Sequence, residues 1–450
     1  MLRAVFSSFL LFFVALSCAF VPVAHSQEAE RISIRGSNTL AHALVPEIAQ
    51  SWLRDIGYTG IRVAKPRAAL TEIHASRDGQ PVVVEIAASD SAQGFADLID
   101  GRAQIAMMAR RPNAAELDAG WQLGDLGNLD QEFAVALDGV AVVVNRANPV
   151  ARLSLEQLRS VFSGQSRDWR ELGGAAGQVH LHLDPGAGAV RDLMNDKVMR
   201  GASFAEAELH GGARELVAAV AADPLAIGLI PIGEHYGAGS KPLAIADGGR
   251  AIAPTHTDVS SEDYPLSRRL YLYGGQMMGA LSRSFALYAM TRNGQRAVAR
   301  SGHLAMTLIP GRARATTLGP PDYRQLIETA VRLPLSLRFN FNGAAESGVV
   351  AASVYDSRSL RDLDRLRAFM QLPPNRGRRL LVIGFADASA GSSMAAMMMS
   401  NDRADLVAQE LISRGLKVQQ ALGMGTALAV AGPKDPLARY RNERVEVWLL

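Results

Sequence analysis

The class of fold follows from one run of residues, Leu137-Asp138-Gly139-Val140-Ala141-Val142-Val143-Val144-Asn145. Its centre, residues 140–144, is wholly apolar, which is typical of a strand buried on both faces of a parallel sheet. Other short apolar runs lie on either side of it in the chain, and amphipathic helical patterns at 40–53 and 155–162 separate them. We predict these further strands at 32–35, 82–86, 104–108, 179–183 and 226–230. Strands that alternate with helices up to about residue 310 predict an α/β fold.

Length and composition limit the classes of protein to consider. The chain has 450 residues, of which 48% are hydrophobic and 20% charged, so we expect two to four domains with substantial cores. The net charge is +3 and no block of Lys or Arg occurs, which argues against nucleic acid as a partner. Cys18 is the one cysteine, so neither an internal disulfide nor a thiolate metal cage can form.

The first 26 residues, MLRAVFSSFLLFFVALSCAFVPVAHS, have the pattern of a secretory signal peptide. A single charge, Arg3, precedes a long apolar run, and the segment ends in Ala24-His25-Ser26, a small-x-small cleavage site. We expect cleavage after Ser26 and export to the periplasm. Two alternatives stay open, namely an uncleaved membrane anchor and a lipid attached to Cys18.

The last third of the chain differs in pattern from the rest. Gly, Pro and Arg residues at 311–333 predict a linker between a domain at 27–310 and a second domain at 334–450. In the second domain, strands at 335–341, 379–383 and 444–449 alternate with helices at 360–372 and 394–411. This order predicts a β-α-β-α-β unit of ordinary domain size.

Two turns in the first domain have the form of an anion site. Gly36-Ser37-Asn38-Thr39 and Ala88-Ser89-Asp90-Ser91 each follow a strand and precede a helix. Hydroxyls and free N–H groups at such a helix start can bind an oxyanion. The same residue types are also ordinary helix caps, and spacing alone favours caps.

Residues 31–308 resemble the PstS-like phosphate-binding proteins of bacterial ABC uptake systems. Several segments carry the resemblance in combination, and each is common by itself. They are Ile34-Arg35-Gly36-Ser37-Asn38-Thr39-Leu40, Leu98-Ile99-Asp100-Gly101-Arg102-Ala103-Gln104-Ile105-Ala106-Met107, the run at 137–145, Val161-Phe162-Ser163-Gly164 with Asp168-Trp169, and Tyr264-Pro265-Leu266-Ser267-Arg268. The resemblance implies a two-lobed periplasmic-binding-protein fold of type II that closes on phosphate.

It also implies which residues bind the ligand, by position in the family's motifs. The predicted phosphate-binding residues are Ser37, Asn38, Thr39, Ser89, Asp90, Ser91, Arg110, Asp138 and Arg191. In the family an aspartate accepts the proton of protonated phosphate, and Asp138 takes that role here. The sequence departs from the family where its serine-glycine-threonine loop should lie, because Asp184-Pro185-Gly186-Ala187-Gly188-Ala189 has no hydroxyl. Another small anion, or a cleft without ligand, therefore stays open.

Residues 334–450 resemble the C-terminal domain of OmpA, which binds peptidoglycan. Asp387 follows a strand where the family has a glycine-histidine-threonine-aspartate turn, and Arg403 lies in Ser400-Asn401-Asp402-Arg403-Ala404 at the family's helix start. The resemblance implies that Asp387 pairs with the ammonium of diaminopimelate in the stem peptide and Arg403 with its carboxylate. Phe385-Ala386 replaces His-Thr, so a domain without glycan affinity is the alternative.

These features together predict a periplasmic binding protein for phosphate or a similar small oxyanion, held near the cell wall and outer membrane by peptidoglycan. An inner-membrane ABC permease is a further candidate partner. The rival hypothesis is an envelope-assembly protein with a vestigial cleft. We predict no enzyme and no cofactor, because no nucleophile-elbow, zincin or P-loop motif occurs. His180-x-His182 has ligand-like spacing without a visible third ligand, which favours a surface or interlobe pair.

Overall fold

The computed structural model describes residues 29–311, 318–339, 355, 357–433 and 437–450. The predicted signal peptide, residues 1–26, therefore lies outside the described residues. Within the part of the chain that is described, no helix has both the length and the apolar character needed to cross a membrane.

The first lobe is built on a sheet whose central strand is the first strand of the chain. The predicted helix at 40–53 starts as a π-helical turn at Leu40–Leu44, and a hairpin that the sequence patterns did not predict follows it. The elements are β1 (Glu30–Ser37), α1 (Val45–Asp55), β2 (Thr59–Arg67), β3 (Leu70–Arg77), β4 (Gln80–Ser89), α2 (Ser91–Ile99), β5 (Ile105–Met108), α3 (Ala114–Ala119) and β6 (Glu132–Asn145).

The chain then builds the second lobe and returns to the first. The second lobe contains β7 (Arg152–Ser154), α4 (Leu155–Phe162), β8 (His180–Leu183), α5 (Gly188–Met194), β9 (Glu208–Leu209), α6 (Ala213–Ala222), β10 (Ala226–Pro231), β11 (Ser240–Pro242), β12 (Ala244–Ala246) and α7 (His256–Ser260). The elements that return to the first lobe are β13 (Ser267–Tyr273), α8 (Ala280–Met290) and α9 (Arg292–Arg300).

Strand β6 joins the two lobes. Its first half pairs with β13 and its second half with β10, and both pairings are antiparallel. Phe133 and Val135 pack in the core of the first lobe, while residues 140–144 pack in the core of the second. The predicted burial of this run is therefore confirmed. The prediction of parallel neighbours is wrong, because β13, β10 and β11 all run antiparallel to it.

The C-terminal domain is a four-stranded sheet with helices, in the strand order β14-β17-β15-β16. Its elements are α10 (Pro321–Ile327), β14 (Val331–Arg338), α11 (Ser357–Met370), β15 (Leu380–Gly384), α12 (Ser393–Ser413), β16 (Val418–Gly423), α13 (Ala438–Asn442) and β17 (Arg444–Leu449). Three features differ from the predicted unit. Strand β16 and helix α13 are additional, and the predicted linker 311–333 contains α10 and the start of β14. The last residues of the predicted strand at 335–341 lie outside the described residues.

The C-terminal domain packs directly on the second lobe. The backbones of Gly248 and Gly432 are so close that a Cβ on Gly432 would lie 2.6 Å from the Cα of Gly248. The N–H of Gly432 donates to the carbonyl of Asp247 at 2.7 Å, and Val430 packs in the core of the second lobe. The two domains therefore share backbone hydrogen bonds and core contacts.

Buried ion pairs extend the contact of the C-terminal domain to the segment before β13 and to β13 itself, in the first lobe. The Asp263 carboxylate, on the segment before β13, has no exposed surface and accepts hydrogen bonds from Arg332 at 2.5 Å and Arg338 at 3.1 Å. Arg269 on β13 binds Glu262 at 2.7 Å and Asp362 on α11 at 2.8 Å. Burial would raise the pKa of Glu262, but the charges of Arg269, Arg358 and Arg338 together outweigh it and hold this pKa at about 2.

Helix α11 allows a matched test of the interface. Asp362 and Asp364 lie two residues apart, but the Asp362 side chain is 1% exposed and the Asp364 side chain 56%. Asp362→Asn leaves the buried charge of Arg269 under-compensated and removes the partner of the half-buried Arg365, so we expect a cost of about 3–5 kcal/mol. Asp364→Asn breaks only a surface pair with Arg414 and should cost about 0–1 kcal/mol. Calorimetric melting of the full chain measures both, and equal shifts would contradict the interface described here.

Candidate functional site

The first group of predicted site residues lies at one edge of the first lobe's sheet. Strands β1 and β4 are parallel, and Ser37 pairs in register with Ser89 at their carboxyl ends. Strand β5 runs parallel to β1 on its other side and leads into Arg110. The carboxyl ends of parallel strands are where α/β proteins bind ligands. The structure therefore places Ser37, Ser89 and Arg110 at the carboxyl edge of the sheet, where a ligand site is expected.

Two glycines bring helix α2 and strand β5 close to this edge. Gly36 has φ +130°, and a Cβ there would lie 2.3 Å from the carbonyl oxygen of Met107. A Cβ on Gly94 of α2 would lie 2.4 Å from the Cα of Gly36. Only glycine permits both approaches without backbone movement. These contacts fix the start of α2 beside the end of β1.

The second turn, residues 89–91, is largely used within the fold. Asp90 is the N-cap of α2, and its carboxylate accepts a hydrogen bond from the N–H of Gln93 at 2.8 Å. The hydroxyl of Ser91 accepts from the N–H of Ala109 at 3.0 Å, and the hydroxyl of Ser89 donates to the carbonyl of Asp90 at 3.2 Å. In this turn Asp90 is an ordinary helix cap, as the alternative interpretation proposed.

Arg268 is the central cation of the cleft, and it was not among the predicted site residues. Its guanidinium donates to the carboxylate of Asp138 at 2.9 Å, to the hydroxyl of Thr39 at 3.2 Å and to the carbonyl of Ala189 at 3.1 Å. Thr39 begins the first helix of the first lobe, Asp138 lies on the connecting strand, and Ala189 lies on α5 of the second lobe. One side chain thus contacts both lobes and the strand that joins them.

A signal for Arg268 was present in the sequence. It belongs to the run 264–268 that carries the family resemblance, and it is the cross-strand partner of Asp138. Arg268 and Arg269 are consecutive in a mostly buried strand, so their side chains lie on opposite faces and each needs its own acidic partner. The pairing of β13 with β6 identifies that partner for Arg268, and strand pairing is not visible in a single sequence.

Two further titratable groups lie near the Arg268–Asp138 pair. Desolvation raises the pKa of Asp192, the charge of Arg268 opposes this effect, and Asp138 adds to it. Burial lowers the pKa of His303, against the attraction of Asp138, so His303 is neutral at pH 7. The cleft therefore holds two carboxylates and one guanidinium in this region, and an incoming anion must rely on hydrogen bonds as well as charge.

Arg110 and Arg191 each contact a side chain outside the group around Arg268. Arg110 forms a fork with Glu116, at 2.6 and 2.7 Å, and these hydrogen bonds raise the pKa of Arg110. Arg191 is exposed on α5, and its guanidinium lies over the ring of Phe204 at 5.4 Å. Asn38, from the first turn, is also exposed. Of the nine predicted residues, Thr39 and Asp138 are the two that contact Arg268.

The predicted peptidoglycan pair lies on one side of the C-terminal domain. Asp387 accepts a hydrogen bond from the side chain of Asn442 at 2.7 Å, and Arg403 donates to Glu443 at 2.8 Å. Both predicted residues are less than a tenth exposed. Burial would raise the pKa of Asp387, but hydrogen bonds from Asn442 and Ser389 lower it. Consecutive residues, 442 and 443, therefore hold the aspartate and the arginine of the predicted pair.

Known proteins resemble the first two-thirds of this chain. The sequence profile of the PBP superfamily domain matches residues 61–293, just over half of the chain. Phosphate-binding protein PstS of Staphylococcus saprophyticus is 25% identical over 204 residues, which cover 44% of this chain and 63% of that protein. PstS of Pseudomonas aeruginosa is 25% identical over 244 residues, covering 50% and 75%. PstS 2 of Streptococcus agalactiae is 37% identical over 91 residues, covering 20% and 28%.

The chain thus spans less than two thirds of the length of the first and the third of these relatives. Among solved structures, an ABC-type phosphate transport receptor from Vibrio cholerae aligns with a TM-score of 0.48 and 21% identity, covering 61% of this chain and 99% of that one. The predicted PstS-like resemblance and the two-lobed α/β fold are confirmed over residues 61–293.

The close approach at Gly36 predicts a sharp difference between two glycine variants. Gly101 also has positive φ, +72°, but a Cβ there meets nothing within 4 Å. Gly101→Ala should cost only the backbone strain, about 1–2 kcal/mol. Gly36→Ala adds a clash with the backbone of β5 and should cost about 3 kcal/mol or more. Melting temperatures of the two variants check this, and equal values would show that β1 and β5 are not packed as described.

Proposed function

The chain belongs to the PBP superfamily, and on that premise we propose that its interlobe cleft binds phosphate or a similar small oxyanion in the periplasm. The observation that carries the proposal is the position of Arg268, which reaches Thr39 in the first lobe and Ala189 in the second. The named relatives are phosphate-binding proteins, which supports phosphate as the first ligand to test.

Arg268 has the chemistry that an oxyanion needs. A planar guanidinium can bind two oxygens of one anion at once, and this one is only 10% exposed, so its hydrogen bonds are weakly screened by water. Because the guanidinium is planar and rigid, it can keep Asp138 while a ligand oxygen replaces Thr39 or Ala189 at its NH2 group. The Thr39 hydroxyl accepts from Arg268, so its own proton can donate to the same anion.

Asp138 supplies discrimination between anions. Its carboxylate accepts from Arg268 and from the N–H of Gly139 at 2.8 Å, which leaves acceptor capacity for one more proton donor. Protonated phosphate has such a donor and sulfate at neutral pH has none. We therefore infer a preference for phosphate over sulfate, with Asp138 as its cause.

We expect the binding to be weaker than a full set of hydroxyls would give. The loop at 184–189 offers no hydroxyl, and Arg110 is engaged with Glu116. Each hydrogen bond to a charged ligand that is lost costs about 1.5–3 kcal/mol. Sub-millimolar affinity is the expectation, and the vestigial cleft of an envelope-assembly protein is the alternative if no binding occurs.

Titration calorimetry of the full chain with phosphate tests the cleft. Arg268→Lys removes the fork and should weaken binding about ten- to a hundredfold, as expected for one or two charged hydrogen bonds. Arg191→Ala is the matched control, because Arg191 lies over Phe204 and should leave affinity unchanged. Asp138→Asn should reduce the preference for phosphate over sulfate. No heat from the unmodified chain, or equal effects of the two arginine variants, would contradict the proposal.

We further propose that the C-terminal domain binds the diaminopimelate stem peptide of peptidoglycan through Asp387 and Arg403. The observation that favours this second role is that Asn442 and Glu443, adjacent in sequence, hold the two side chains on one side of the domain. A stem peptide would bring its ammonium to Asp387 and its carboxylate to Arg403, where it competes with Glu443. An ABC permease stays a predicted partner.

Sedimentation of the full chain with purified peptidoglycan tests the wall contact. Asp387→Ala should reduce the bound fraction at least tenfold, whereas Asp402→Ala, an exposed charge next to Arg403 on α12, should leave it unchanged. Glu443→Gln should strengthen binding, because Arg403 loses its competing carboxylate. If unmodified chain and Asp387→Ala sediment alike, the wall contact is excluded.

A further inference from the structure

A second group of ligand-type side chains lies on the sheet of the second lobe, outside the cleft residues described above. His182 on β8 is the register partner of Glu208 on β9, and His210 follows β9 directly. The sequence spacing suggested His180 and His182 as a pair. The structure separates them, because His180 binds Asp223 at 2.6 Å while His182 faces His210.

The distances within this group are short. Nδ1 of His182 lies 2.8 Å from Nε2 of His210, and each of these nitrogens lies 3.8 Å from a carboxylate oxygen of Glu208. The two imidazole rings are stacked, with centroids 5.1 Å apart. One ligand atom from each of the three residues therefore points toward a common position.

These separations are close to those of a metal site. Zinc binds histidine nitrogen at about 2.0–2.1 Å and carboxylate oxygen at about 2.0–2.2 Å, usually in a tetrahedron, so its ligand atoms lie roughly 3.3 Å apart. The two nitrogens would have to separate by about 0.5 Å, and the carboxylate would have to approach by about the same amount. Glu208 is 67% exposed in its side chain, so it can make that movement.

The surroundings also suit a bound cation. The His182 side chain is 4% exposed, and its Nδ1 faces His210. An open cavity of about 520 Å³, lined by His182 and Glu208 among others, borders the group. It has room for a water molecule as fourth ligand.

We propose that His182, Glu208 and His210 bind a Zn²⁺ ion at this edge of the second lobe. Two imidazoles and one carboxylate form a ligand set that zinc accepts, with water in the open position. Strand β9 has two residues and its pairing is with β8. A cation shared between His182 and the two ligands at β9 would fasten this short strand to the sheet.

Titration of the untagged full chain with ZnCl₂, in chelator-treated and phosphate-free buffer, tests the site by calorimetry. We expect one saturable site and a higher melting temperature with zinc. Glu208→Gln and His210→Gln should each weaken binding at least tenfold. Glu206→Gln is the matched control, because it removes an equal exposed charge at the same cavity without removing a ligand.

Two results would overturn the assignment. One is the absence of saturable zinc binding to the unmodified chain. The other is an equal effect of Glu208→Gln and Glu206→Gln, which would indicate attraction by surface charge rather than coordination. In either case the two histidines are a hydrogen-bonded structural pair. The outcome is independent of phosphate binding, because the two titrations use different ligands and different variants.

Discussion

Arg268 and Arg269 are neighbours on β13, and the alternation of a strand sends their side chains to opposite faces. Arg268 points into the cleft and binds Asp138, Thr39 and Ala189. Arg269 points to the C-terminal domain and binds Glu262 and Asp362. Each buried guanidinium requires an acidic partner, so this one strand fixes the position of the lobes around the cleft and of the C-terminal domain beside them.

Buried contacts hold the C-terminal domain against the rest of the chain, which distinguishes it from a module on a flexible linker. Asp263 accepts hydrogen bonds from Arg332 and Arg338, and Gly248 packs against Gly432. Removing one partner of such buried pairs costs several kcal/mol. The C-terminal domain is therefore bound to both lobes, because Arg269 lies on β13 of the first lobe and Gly248 lies in the second.

The sequence patterns predicted the elements that have strong local signals. Helix α4 was predicted with its observed bounds, and strands β4, β5, β8 and β10 were predicted to within a few residues. The β2–β3 hairpin and β16 were missed, because both have several exposed positions and weak apolar runs. In the site, motif positions led to Thr39 and Asp138. They led to Arg191 rather than Arg268, because which arginine faces the cleft depends on strand pairing and not on local sequence.

We propose that an oxyanion binds between the lobes at Arg268. A crystal structure of the full chain grown with arsenate, a heavier analogue of phosphate that can be located by its anomalous scattering, tests it most directly. We expect arsenate within hydrogen-bond distance of the Arg268 guanidinium and the Thr39 hydroxyl, with Asp138 still bound to Arg268. A cleft in which Arg268 keeps its contacts to Thr39 and Ala189, with no arsenate between the lobes, would contradict it.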